Sequence, residues 1–306
     1  MKDDIAVVTG GAGFIGSHIV DKLLAQGAHV RIVDTVPVVV EEHQKACEVF
    51  TANLLDVEVL ARACNGARYV FHLAAVASVP KSMEDPLGTH RTNIDGTLAV
   101  FEAARLAGVS RVVYSSSSAV YGDDPTLPKQ ESMVPKPISP YALHKLVGEQ
   151  YAALYKKVFG TEIVSLRYFN VFGPRQNAHS AYAAAIPLFV AAMREGKQPT
   201  VFGDGSATRD FVSVYDVVEA NILAATTEVA VGEVLNIGCG KGVSILQVIA
   251  AINQALGTAI QPRFAPVRAG DIAHSVSDIG KARKLLGFEP KVIFEEGIKE
   301  LVNENV

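Results

Sequence analysis

The chain has 306 residues, 49% of them hydrophobic and 20% charged, a balance that suits a well-packed α/β unit with a smaller lobe and excludes disorder. Its formal net charge of -4 comes without a basic stripe, which excludes a nucleic-acid partner.

In chain order, Ile5–Thr9, Val30–Asp34, Tyr69–Leu73, Arg111–Ser115 and Ile163–Arg167 are short apolar runs that predict buried strands. Helical periodicity predicts Phe14–Gln26, Val57–Cys64, Asn93–Ala107 and Tyr141–Phe159 as helices between them. Alternation of strand and helix implies a Rossmann-type, doubly wound parallel sheet over residues 1–172. Beyond Phe172 the rhythm breaks. Pro174, Pro187, Pro199, Pro262, Pro266 and Pro290 punctuate shorter elements, so 173–306 is expected to form mainly a smaller α/β substrate lobe, with 211–240 partly returning to the sheet. Three scattered cysteines, Cys47, Cys64 and Cys239, have no zinc-site spacing, so no metal is expected and a reducing compartment is. The longest apolar run, Ala181 to Met193, contains Pro187 and is too short to span a bilayer. The N-terminus enters Ile5-Ala6-Val7-Val8-Thr9 with no signal-peptide pattern, so a cytoplasmic protein is expected.

The first strand runs into Thr9-Gly10-Gly11-Ala12-Gly13-Phe14-Ile15-Gly16. Glycines at Gly10, Gly13 and Gly16 permit a tight turn, close approach of backbone to a pyrophosphate, and close packing of helix on strand. The helix start then directs its N–H groups at the anion. Asp34 ends the second strand, where a carboxylate can accept from ribose hydroxyls and repel a 2′-phosphate, which favours NAD over NADP. Asp56 is either a partner for the adenine amino group or the N-cap of the helix that begins at Val57. Gly238-Cys239-Gly240-Lys241-Gly242 lacks the spacing of a phosphate loop and reads as a strand-to-helix turn.

Tyr141 and Lys145 stand four apart on a predicted helix and so share a face. An ammonium beside a phenol favours the phenolate and lowers its pKa from about 10, giving a base that works near neutral pH. Ser115-Ser116-Ser117-Ser118 follow the fourth predicted strand, at the end where open α/β sheets place ligands. A serine there can bond the hydroxyl that Tyr141 deprotonates, or the run is only a polar loop.

Taken together these motifs resemble the extended short-chain dehydrogenase/reductase family, and within it the UDP-hexose 4-epimerases. His72-Leu73-Ala74-Ala75, Asn93-Ile94-Asp95-Gly96-Thr97, Arg167-Tyr168-Phe169-Asn170-Val171-Phe172-Gly173-Pro174-Arg175, Thr208-Arg209-Asp210-Phe211 and Arg268-Ala269-Gly270-Asp271 extend the likeness over almost the whole chain. The resemblance implies Ser117, Tyr141 and Lys145 as the catalytic set. It adds Phe14, Ile15, Leu73, Ala74, Ala75, Asn93, Ser115 and Tyr168 to the NAD site, with Tyr141 and Lys145 at its nicotinamide end. Asn170, Arg209, Arg268 and Asp271 would hold a uridine diphosphate, for which arginine is chemically suited. Arg209 could instead pair with Asp210 or Asp216, and Arg268 with Asp271. A homodimer through a four-helix bundle of Asn93–Ala107 and Tyr141–Phe159 is likewise implied.

Two positions bear on the branch. Related dehydratases and decarboxylases carry an acidic residue before the Val-Tyr-Gly element, where this chain has Ala119. In hexose epimerases the residue four after the aspartate of the Arg-x-Gly-Asp element lies beside the sugar's 2-substituent. Here it is Ser275, small enough for an N-acetyl group, and Asn177 to Pro187 also looks like the N-acetylhexosamine branch. The expected activity is therefore NAD-dependent C4 epimerisation of UDP-hexoses, with UDP-GlcNAc and UDP-GalNAc accepted beside UDP-Glc and UDP-Gal. The rivals are another NAD-dependent nucleotide-sugar oxidoreductase or dehydratase, and a non-enzymatic NAD-binding regulator. One departure from the family is the apolar stretch Thr35-Val36-Pro37-Val38-Val39-Val40, where a polar, glycine-containing loop is usual.

Overall fold

The computed structural model describes residues 1–177, 185–267 and 273–303. Strands β1 (Ile5–Thr9), β2 (His29–Asp34), β3 (Glu48–Thr51), β4 (Tyr69–His72), β5 (Arg111–Ser117) and β6 (Ile163–Tyr168) alternate with helices α1 (Phe14–Ala25), α2 (Glu41–Ala46), α3 (Val57–Cys64), α4 (Val79–Glu84), α5 (Pro86–His90), α6 (Gly96–Leu106) and α7 (Pro140–Phe159). There follow β7 (Asn170–Phe172), α8 (Ala185–Arg194), β8 (Thr200–Phe202), β9 (Thr208–Arg209), β10 (Phe211–Ser213), α9 (Val214–Thr226) and β11 (Val234–Ile237). The last described elements are β12 (Val243–Ser244), α10 (Ile245–Leu256), β13 (Arg263–Ala265), β14 (His274–Ser275), α11 (Gly280–Leu286) and α12 (Phe294–Asn303).

Seven of these strands form one sheet in the order β11-β6-β5-β4-β1-β2-β3, and every pairing in it is parallel. This is the doubly wound Rossmann architecture. Its inner strands are rich in Val, Ile and aromatic residues because both of their faces are covered. Ile19, Val20, Leu23, Val164, Leu166, Val217 and Leu235 fill one side, and Leu60, Phe101, Val112, Tyr114, Ala152 and Ile163 the other. Strand order reverses between β1 and β4, which opens a crevice at their C-terminal ends. A separate core of Phe172, Ile186, Phe189, Val201, Phe211, Val248, Ile252 and Ile298 holds the elements beyond β6 together.

Within the 211–240 stretch the chain enters the sheet as β11, which pairs with β6 through Leu235↔Leu166. The structure differs from the sequence expectation in three places. The edge strand β3 had no apolar signal, because its Glu48, Val49 and Thr51 are exposed. The helix expected over Asn93–Ala107 begins as a π turn, Arg91–Asp95, that runs into α6. Strand β5 continues two residues past Ser115, so Ser117 is held in register with Tyr168.

Candidate active site

Two cavities carry most of the expected residues. The first, about 530 Å³, lies over the reversal point and is lined by Gly10, Gly13, Phe14, Ile15, Gly16, Asp34, Leu73, Ala74, Ala75, Ser115, Tyr141, Lys145 and Tyr168, with Asn53 and Thr92 added. Its floor is set by two glycines. Gly10 has φ +73, and a Cβ there would stand 2.7 Å from the Ala74 nitrogen. A Cβ on Gly16 would stand 2.1 Å from the Gly10 carbonyl oxygen, so helix α1 meets the turn only without a side chain. The first turn of α1 has neither a capping side chain nor an acidic residue, which directs its N–H groups and its positive end at an anion. Asp34 closes the far end, accepting from Ala12 N at 3.0 Å and Val36 N at 3.2 Å. These features fit a dinucleotide with an unphosphorylated ribose.

Two expected cofactor residues do something else. Asp56 does not line the cavity. It is the N-cap of α3, its Oδ1 accepting from Val59 N at 3.1 Å, which is the alternative its position before Val57 allowed. Asn93 is buried behind the wall, accepting from Val76 N at 2.7 Å and donating to Val76 O at 3.1 Å. It shapes the loop that follows β4 rather than facing the cavity. In the departing stretch, Val38 is buried in the core while Val36 and Val39 are exposed.

The catalytic candidates meet at the inner end. Ser139 caps α7, its Oγ accepting from Ala142 N at 3.2 Å, and Pro140 follows it in the first turn. Tyr141 N donates to Ser82 Oγ of α4 at 3.1 Å, which fixes the helix start. The half-buried Tyr141 side chain hydrogen-bonds Ser117, and Lys145 lies one turn further on. The expected sign for the phenol is reversed. Burial pushes Tyr141 above the ordinary 10, and the Ser117 bond only partly offsets it. Lys145 Nζ donates to the Ser115 carbonyl at 2.6 Å. Burial in turn brings Lys145 down to about 8, against the raising field of Glu149.

The second cavity, about 640 Å³, is lined by Asn170 and Arg209 together with Phe172, Phe202, Phe211, Thr200, Asp204 and His274. Tyr168 lines the first cavity and Asn170, two residues further on, the second. Arg209 donates to Thr208 O at 2.9 Å and Ala273 O at 3.2 Å. The carboxylates offered as its alternative partners are engaged elsewhere. Asp210 is fully buried and accepts from Cys239 N at 2.7 Å, Gly240 N at 3.0 Å and Ser277 N at 2.9 Å. Asp216 accepts from Lys291 N and Val292 N. The 238–242 turn thus wraps a carboxylate of this chain, which accounts for its glycines without a phosphate. Ser275 pairs with Arg209 across β14 and β9 and does not line the second cavity, whereas its neighbour His274 does. Adjacent strand residues face opposite ways. Arg268, Asp271 and the 178–184 part of the segment from Asn177 to Pro187 lie outside the described residues. Among the described residues no cluster could hold a metal ion, and no helix is long and apolar enough to cross a membrane.

Sequence reasoning missed Thr92, Asn53, Ser82, His274, and the buried set Ser116–Glu149–Arg167. Only Glu149 carried a signal, its spacing of four from Lys145.

Residues 6–238 match the family described as NAD dependent epimerase/dehydratase. A UDP-glucose 4-epimerase of Mycolicibacterium smegmatis is 38% identical over 304 residues, covering 97% of this chain and 96% of that protein. Among solved structures, a UDP-N-acetylglucosamine 4-epimerase from Methanobrevibacter ruminantium, in complex with UDP-N-acetylmuramic acid, has a TM-score of 0.94 at 40% identity, covering 99% of this chain and 98% of that one. A UDP-glucose 4-epimerase from Thermotoga maritima with UDP-glucose has a TM-score of 0.93 at 39% identity, over 97% of both chains.

Proposed function

The chain belongs to the NAD-dependent epimerase/dehydratase family, and on that premise we propose that it interconverts the C4 epimers of UDP-hexoses through a transient 4-keto sugar. The proposed substrates are UDP-GlcNAc and UDP-GalNAc as well as UDP-Glc and UDP-Gal. The observation that carries this reading is that Tyr141 and Lys145, one helical turn apart on α7, both line the dinucleotide cavity, with Ser117 beside the Tyr141 phenol.

Each residue then has a task. Asn170 and Arg209 hold the uridine diphosphate in the second cavity, with Arg268 and Asp271 as further partners. Tyr141 accepts the proton of the 4-hydroxyl, and Ser117 orients that hydroxyl through the bond it makes to the phenol. The Lys145 ammonium, near Tyr141 in a buried site, favours the phenolate once its bond to Ser115 rearranges. NAD, held by the α1 turn and Asp34, supplies when bound a hydride acceptor and donor at the sugar's C4. Retention of the sugar by its diphosphate allows it to turn and present its other face. Tyr141 then returns the proton, and there is no net redox change. Ala119, half-buried in the short 3₁₀ turn Ser118–Tyr121, supplies no acid or base for loss of water or carbon dioxide, which favours epimerisation over those reactions. Support for the N-acetylated substrates comes from the 40% identity to a UDP-N-acetylglucosamine 4-epimerase rather than from Ser275, which does not line the second cavity.

Exposed Leu106 on α6 and exposed Leu143, Leu154, Val158 and Phe159 on α7 support a homodimer through a four-helix bundle, and the free cysteines support a cytoplasmic setting. The test is incubation with UDP-GlcNAc and, separately, UDP-Glc without added cofactor, read by NMR. The 4-epimer should accumulate to equilibrium. Stoichiometric demand for NAD or NADH would instead identify a net oxidoreductase, and no conversion of either sugar would remove the proposal.

A further inference from the structure

Glu149 takes no part in the chemistry above, yet it is 5% exposed and lies on α7 one turn beyond Lys145. Its carboxylate reaches two strands. Arg167 of β6 donates to Oε1 at 2.9 Å and to Oε2 at 2.7 Å, and Ser116 of β5 donates its hydroxyl to Oε1. Ser116 and Ser115 both line the first cavity, and the Ser115 carbonyl accepts from Lys145. The end of β5 is therefore pinned to α7 twice, one turn apart, through Lys145 and through Glu149. Ser117 follows directly, so the same two pins set where it meets Tyr141.

The charges around Lys145 point the same way. The titratable groups that face it are Tyr141, His144 and Glu149 of its own helix, Tyr114 of β5, whose ring centroid is 5.2 Å from Nζ, and His72 of β4. Burial holds both phenols up and both imidazoles down, so all four are uncharged at neutral pH. Of the described residues facing the ammonium, Glu149 is the one anion. An Arg–Glu pair that served the fold alone would need neither the serine bond nor this spacing from Lys145.

We infer that Glu149 is a positioning residue for the reaction, fixing the end of β5 against the Tyr141 helix and giving the buried Lys145 ammonium its counter-charge. The inference rests on the proposed role of Lys145, and the two fail differently. Loss of the functional reading would leave wild type without epimerase activity, whereas loss of this inference would leave wild type active and the variants unaltered.

The test compares purified wild type with Glu149→Gln in pH profiles of kcat/KM on UDP-glucose from pH 6 to 9.5, alongside melting curves and bound NAD content. Glutamine preserves the shape and acceptor for Ser116 but removes the charge. The alkaline limb should move down by about one pH unit, with about fivefold loss at pH 8 that largely recovers at pH 6.5. Glu149→Asp should restore the limb. Ser116→Ala leaves the ion pair in place and keeps the assay informative should the glutamine variant not fold. Its kcat should fall about fivefold with the limb and NAD content unchanged. A Glu149→Gln enzyme that melts like wild type and keeps the wild-type limb, or a Ser116→Ala enzyme with wild-type kcat, overturns the inference.

Discussion

Replacing Lys145 by methionine tests the electrostatics of the site through stability rather than turnover. The side chain is 4% exposed, and burial brings its pKa from the ordinary 10.5 to about 8. At about 1.4 kcal/mol per pH unit, keeping it charged at neutral pH costs the folded state about 3 kcal/mol. Methionine is similar in length and removes that cost, but it leaves the Ser115 carbonyl without its 2.6 Å donor, a loss of roughly 1–2 kcal/mol. The variant should therefore be more stable at pH 7 by about 1–2 kcal/mol, a rise in Tm of about 2–4 °C for a chain of this size. The sign of the pH dependence follows from proton binding. The unfolded chain holds this proton up to pH 10.5, the folded chain only to about 8, so wild-type stability rises across that window. The variant's advantage should accordingly shrink between pH 7 and pH 9.5. Scanning calorimetry at the two pH values measures it, and kcat should fall by at least about 100-fold in the same protein. A lower Tm than wild type at pH 7, or a difference that does not change with pH, would refute the reasoning.

Tyr141→Phe should cut kcat by about 10²–10⁴ while leaving the Kd for UDP-glucose within about twofold, as measured by turnover and calorimetric titration. Ser275→Tyr should leave the ratio of UDP-GlcNAc to UDP-Glc turnover within about twofold, because Ser275 lies off the cavity that His274 lines, and selective loss of UDP-GlcNAc turnover would restore the size argument. Asp56→Ala should lower stability by about 1 kcal/mol through loss of the α3 cap, yet leave bound NAD unchanged on extraction. Loss of NAD from a folded Asp56→Ala protein would return that residue to the cofactor site.

The sheet and the dinucleotide cavity were legible in the chain because their signals are local. Five apolar strands and the Gly10–Gly16 turn announce themselves within a few residues, and Ser139-Pro140 marks the start of the helix that carries Tyr141. What was not legible depends on tertiary placement. Edge strand β3 exposes three of its four residues and gains its place only by pairing with β2. Asp56 has one carboxylate and two plausible uses, and sequence cannot choose between a cap and a ligand. Burial of Tyr141 reverses a sign that an i, i+4 pair on an exposed helix would have given. Glu149 reads from sequence as an ordinary helix partner for Lys145, and only the fold brings Arg167 and Ser116 to it.

Isotopic labelling at C4 tests the proposed reaction most directly. With UDP-glucose deuterated at C4 and no added cofactor, the hydride taken from the sugar should return to the same carbon. The UDP-galactose formed should keep its deuterium, with no label in water. Washout of the label to solvent, or its accumulation in released NADH, would contradict a reaction in which the 4-keto sugar turns in place and is reduced by the hydride it gave up.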